Sequence, residues 1–126
     1  MPRLSDVNIL IVEDELLIAL DLQVTLEDEG ARTVVVGTVD EALAQVRAPA
    51  GSAFDAAVLD VRLGREEVFP VADVLARQGV PIVFHSGHAR ASDLAETYPR
   101  ASVLSKPAPP ERLVAALVSG AMPTTT

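Results

Sequence analysis

Apolar residues fall into five short runs along the chain, and most of these runs end abruptly in side chains capable of chemistry. Val7 to Val12 runs into Glu13-Asp14, and Ala56 to Leu59 runs into Asp60. Ile82 to Phe84 meets His85-Ser86, and Ser102 to Leu104 leads through Ser105 to Lys106-Pro107. The remaining run, Arg32 to Val36, is rich in β-branched residues. Runs this short, bounded by turn residues, predict buried strands of a parallel sheet.

The intervening segments carry helical spacing. A helix is expected from about Glu15 to Glu29, stopped by Gly30 in a left-handed cap. Thr38 followed by Glu41 forms a capping-box pattern that opens a second helix through about Arg47. Residues 48–53 are loop by composition, and Arg62 to Glu67 has too little apolar periodicity to be other than loop. Pro70 suits the first turn of a third helix, with Val71, Val74 and Leu75 on one face and Gly79 at its end. Ala91 to Thr97 makes a short fourth helix, and Pro109-Pro110 opens a last one from about Glu111 to Ser119. The tail, residues 121–126, is expected to fray.

Five strands alternating with five helices define an α/β fold: a doubly wound, five-stranded parallel sheet in three layers, with the flavodoxin-like order 2-1-3-4-5. Such sheets bind ligands at the carboxyl ends of their strands. Glu13, Asp14 and Asp60 are therefore expected to meet where the winding reverses, with Ser86 and Lys106 on the next strand ends out.

At 126 residues the chain is expected to form one domain, with a core spanning residues 7–119. The sequence has no cysteine, which excludes a disulfide framework or thiolate metal site. It shows no basic and apolar leader and no apolar stretch near the ~20 residues of a membrane helix, so a cytoplasmic, membrane-free protein is expected. A formal net charge of −8 repels nucleic acid and anionic lipid. Lys106 is the single lysine beside nine arginines.

Three carboxylates in one crevice repel unless they are protonated or share a cation. An all-oxygen donor set selects a hard ion such as Mg²⁺. Glu13 and Asp14 can hold that ion with Asp60, which keeps an oxygen able to attack phosphorus. Lys106 and Ser86 can supply a charge and a hydroxyl to phosphoryl oxygens. Each feature also has a plainer reading. An acidic pair suits a helix N-terminus, Lys106 a solvated turn, and Ser86 a cap. His85 and His88 flank Ser86, one directed to the core and one to the rim. Arg62 suits a solvated loop, yet two residues past Asp60 its side chain could shield or reach an acyl phosphate. His88, two past the hydroxyl, could overhang the path of an attacking water.

Taken together, the acidic pair Glu13-Asp14, Asp60, Ser86-Gly87 and Lys106-Pro107 resemble the bacterial response-regulator receiver domains over Ile9 to about Leu117. The resemblance implies metal-binding acids at Glu13 and Asp14, a phosphoacceptor at Asp60, a switch hydroxyl at Ser86 and a phosphate-binding lysine at Lys106. It also implies a commonly cis Lys106-Pro107 bond and Mg²⁺ as cofactor. The expected partner is a histidine kinase or histidine phosphotransfer protein. Pro81 to His88 is similar to the Pro-Phe-x-Phe-x-Thr-Gly-Tyr signature of an often free-standing subset, with Ser86 for Thr and His88 for Tyr. Val103 stands where many receivers carry an aromatic switch residue.

On the first expected helix, Ile18, Leu22 and Leu26 form a core stripe, whereas Leu17, Leu20 and Val24 lie nearly opposite. The second stripe is expected to dock the phosphodonor protein, with an exposed edge or a homodimer contact as the alternatives. Other functions fit less well. A haloacid-dehalogenase-like phosphatase needs an acid where Arg62 stands, and a flavin or nucleotide binder needs a phosphate loop where Glu13-Asp14-Glu15 would repel phosphate. An unphosphorylated pseudo-receiver is opposed by the intact acids and lysine. The expected module is thus a phosphoacceptor rather than an enzyme acting on other substrates.

Overall fold

The computed structural model describes residues 2–48, 54–87 and 91–121. Part of the expected 48–53 loop, His88 and the tail 122–126 lie outside these residues. In chain order the elements are β1 (Asn8–Val12), α1 (Leu16–Asp28), β2 (Arg32–Val36), α2 (Val39–Val46), β3 (Ala56–Leu59), β4 (Arg62–Leu63), β5 (Glu66–Glu67), α3 (Phe69–Arg77), β6 (Ile82–Ser86), α4 (Ala91–Thr97), β7 (Ser102–Ser105) and α5 (Pro110–Ala121). Five strands form one parallel sheet in the order β2-β1-β3-β6-β7, which is the expected 2-1-3-4-5 winding.

The sheet is buried on both faces, and the two-residue period of a strand divides its side chains between two cores. Leu10, Val12, Leu59, Ile82 and Phe84 face α2 and α3. Ile9, Ile11, Val58 and Val83 face α1 and α5, where Leu22, Leu26, Leu113 and Leu117 close over them. Continuous burial of both sets explains why these strands are unbroken apolar runs rather than alternating ones.

The helix ends follow their local chemistry. After α1, Gly30 adopts φ +93 and donates to Glu27 O at 2.9 Å, while Ala31 donates to Leu26 O at 3.1 Å. This pair of bonds satisfies carbonyls that the helix leaves open. Gly79, at φ +75, closes α3 in the same way. Thr38 accepts from Glu41 N at 3.1 Å at the start of α2, and the Glu41 carboxylate accepts from Gly37 N. The expected capping box therefore forms with its return bond one residue early.

Three expectations are corrected. Residues 62–67 are not plain loop: β4 and β5 pair antiparallel, Arg62 with Glu67 and Leu63 with Glu66. Two-residue strands are too short to show a period, but Gly64 at φ +62 supplies the first position of a two-residue hairpin turn, and Leu63 is buried. The fourth parallel strand also runs two residues further than its apolar stretch, because His85 and Ser86 pair with Leu104 and Ser105. The last helix likewise runs to Ala121, two residues past its expected end at about Ser119. Among the described residues no helix is long and apolar enough to cross a membrane.

Candidate phosphoryl-transfer site

Each polar group of the site is held by a backbone bond at or just beyond a strand end. Glu13 N donates to Val36 O at 3.0 Å, Asp60 N to Val12 O at 2.9 Å, and Lys106 N to Ser86 O at 2.9 Å. The parallel ladders therefore bring Glu13, Asp14, Asp60, Ser86 and Lys106 to one edge, as expected of a doubly wound sheet.

Glu13 is buried and its Oε1 accepts from Glu15 N at 3.1 Å. The carboxylate thus also holds the residue that precedes α1, whereas no acid stands in the first turn of that helix. Asp14 is exposed and accepts from Gly64 N at 2.9 Å, which fixes it to the β4–β5 turn. Asp60 is buried; its Oδ1 accepts from Arg62 N at 3.4 Å and its Oδ2 from Lys106 Nζ at 2.9 Å. Lys106 Nζ also lies 2.9 Å from Glu13 Oε2, but off line, so that this buried oxygen has a counter-charge and no hydrogen bond.

Electrostatics follow from this geometry. Burial pushes the Glu13 carboxyl up to about 7, against the pull of Lys106 and the Glu15 N–H, and the Asp60 charge adds to the rise. Burial works against the Lys106 ammonium, yet its bond to Asp60 and the adjacent Glu13 carboxylate outweigh that cost and raise its pKa. Among the described residues, Lys106 supplies the one ammonium that lies against both Glu13 and Asp60.

One oxygen from each of Glu13, Asp14 and Asp60 lies within 4.8 Å of the others. An all-carboxylate donor set with one oxygen lacking a hydrogen bond fits a hard divalent cation.

The site opens into a cleft of about 970 Å³ whose apolar wall includes Val61, Phe69, Leu94 and Tyr98. Tyr98 is buried at 5.3 Å from the Phe84 ring and 6.2 Å from the Phe69 ring, and its hydroxyl donates to Asp73 at 2.7 Å. No spacing marks this aromatic group in the sequence, because its members come from α3, β6 and the residue that follows α4. Arg62 is exposed and borders the cleft, touching Asp60 through its backbone. His85 is the core-directed histidine, at 4% exposure. The Lys106-Pro107 bond is cis. On α1, Leu17, Leu20 and Val24 are exposed at 82%, 46% and 57%, and Leu16, absent from the expected stripe, joins them at 71%.

A family model for the response regulator receiver domain matches residues 9–118. Among solved structures, a response regulator receiver protein from Sinorhizobium medicae superimposes with a TM-score of 0.81 at 31% identity, covering 94% of this chain and 99% of that one. A sensor protein from Polaromonas matches with a TM-score of 0.76 at 30% identity, covering 90% and 94%. A CheY-like receiver domain protein from Methanospirillum hungatei gives 0.75 at 25%, covering 88% and 90%. No protein of curated function matches.

The parallel sheet, with its acids and lysine gathered at the winding reversal, defines a phosphoacceptor module of two-component signalling. The chain belongs to the response regulator receiver domain family.

Proposed function

We propose that Asp60 is the phosphoacceptor, that Glu13, Asp14 and Asp60 hold Mg²⁺, and that Ser86 and Lys106 take the phosphoryl oxygens. The observation that carries this reading is the 2.9 Å approach of Lys106 Nζ to Asp60 Oδ2 inside a three-carboxylate crevice. In transfer from a phosphohistidine partner, an Asp60 oxygen attacks phosphorus and an O–P bond forms. The N–P bond breaks, and its electron pair returns to the imidazole, which takes up a proton. Bound Mg²⁺ would neutralise the acids and accept phosphoryl oxygens. Lys106, already charged and aimed, moves its hydrogen bond from the carboxylate to the phosphoryl group, and the Ser86 hydroxyl donates beside it. Arg62, at the cleft rim, is proposed to limit the approach of water to the acyl phosphate.

The donor is proposed to be a histidine kinase or histidine phosphotransfer protein docking on Leu17, Leu20 and Val24. Support comes from position: α1 begins two residues after Asp14, and one groove is bordered by both Leu17 and Lys106. A histidine seated there is within reach of Asp60. The test is incubation with acetyl phosphate and Mg²⁺, followed by intact mass. One phosphoryl group should be gained, and none in Asp60→Asn. A gain that persists in Asp60→Asn would falsify the assignment.

A further inference from the structure

The segment Lys106-Pro107-Ala108-Pro109-Pro110 contains three prolines and so has only two backbone donors, the N–H groups of Lys106 and Ala108. Both go to consecutive residues of β6. Lys106 N bonds Ser86 O at 2.9 Å, and Ala108 N bonds the His85 ring at Nε2, at 3.2 Å. His85 lies one residue before Ser86, and strand alternation places it with Val83 on the face toward α1 and α5, where it borders a groove with Leu17 and Lys106. A buried imidazole is costly unless it is hydrogen-bonded. Here the bond it makes is the one that fixes the backbone two residues past the lysine. An Nε2 that accepts carries no proton, so the neutral ring holds its proton on Nδ1. Burial, with Lys106 adding to it, keeps the pKa of His85 low and the ring neutral.

We infer that His85 is a positioning residue for phosphoryl transfer: from the far face of the sheet it anchors Ala108 and thereby sets the backbone from which Lys106 reaches Asp60. This rests on the reading of Asp60 and Lys106 given above. A four-carbon side chain on a loose backbone would spread its ammonium over many positions, and pre-set geometry is what a charge aimed at a transition state requires. In a chain with little other backbone hydrogen bonding available to this segment, the side-chain acceptor takes over that task.

The test compares His85→Leu, of similar bulk with no acceptor, with His85→Gln, whose Oε1 reaches about as far as Nε2. Labelling by acetyl phosphate with Mg²⁺ should slow about tenfold in His85→Leu and stay within about twofold of wild type in His85→Gln. The Ala108 amide should exchange rapidly in the first and remain protected in the second. In a Lys106→Met background, His85→Leu should cost nothing further, because it acts through the lysine. Should His85→Leu fail to fold, His85→Asn, one bond too short to reach Ala108, replaces it with the same expectations. Wild-type labelling rates in a variant whose Ala108 amide exchanges rapidly would overturn the inference. So would an undiminished loss in the Lys106→Met background. If wild-type protein itself takes no phosphoryl group, the reading of Asp60 fails first and this inference falls with it.

Discussion

Glu13 and Lys106 set the balance of charge in the crevice, and each gives a prediction of definite sign. The Glu13 carboxyl titrates above its ordinary value, so its contribution to stability is present at low pH and is lost as pH rises through about 7. In metal-free buffer, wild-type protein should therefore lose stability relative to Glu13→Gln between about pH 5 and pH 8. The difference is about 1 kcal/mol, after discounting for water at the crevice mouth. Thermal melts of both proteins with a chelator at the two pH values check this; parallel curves would show that Glu13 titrates normally. Lys106 competes with a metal for the same oxygens. Lys106→Met should bind Mg²⁺ more tightly by calorimetry and yet accept the phosphoryl group roughly a hundredfold more slowly. Weaker metal binding in that variant would mean that the ammonium supports the metal site rather than competing with it.

At the level of elements, α1 carries two apolar stripes, of which one is spent on the sheet. Leu22 and Leu26 are buried, whereas Leu17, Leu20 and Val24 face solvent. In a Leu20→Ser and Val24→Ser double variant, stability should stay within about 1 kcal/mol of wild type, since surface changes rarely cost more. Transfer from the partner protein should fall, and labelling by acetyl phosphate should remain normal. Equal loss of both would place these residues in the fold's support rather than in docking, and a change in self-association by light scattering would point to a homodimer face. The stripes were legible because helical spacing separates them by nearly half a turn. Leu16 was missed because it lies between the two sets in angle. The β4–β5 hairpin was missed because two residues carry no period. The bond from Ala108 to His85 was also hidden, since it joins residues 23 apart and depends on which face of β6 the histidine occupies.

For the whole molecule, the winding of the sheet could be read from the sequence because each strand is a short apolar run buried on both faces. The same winding brings the ends of β1, β3, β6 and β7 to one edge. What the runs could not show was which oxygens each backbone N–H would engage, and hence that Asp14 is tied to the Gly64 turn while Glu13 is tied to the start of α1. Because the carboxylates belong to different elements, metal binding should be coupled to folding. Mg²⁺ at ten times its Kd should stabilise the chain by about 1.4 kcal/mol, or roughly 5 °C in melting temperature. Glu13→Gln should show less of this gain; an identical gain would remove Glu13 from the metal site. The most direct measurement of the central assignment is chemical trapping of the acyl phosphate. Protein labelled with acetyl phosphate and Mg²⁺ is reduced with borohydride, which converts a phosphorylated aspartate to homoserine, and is then mapped by peptide mass spectrometry. The expected result is homoserine at position 60 alone. Homoserine at position 14, or a phosphoryl group that survives reduction on Ser86 or His85, would contradict it.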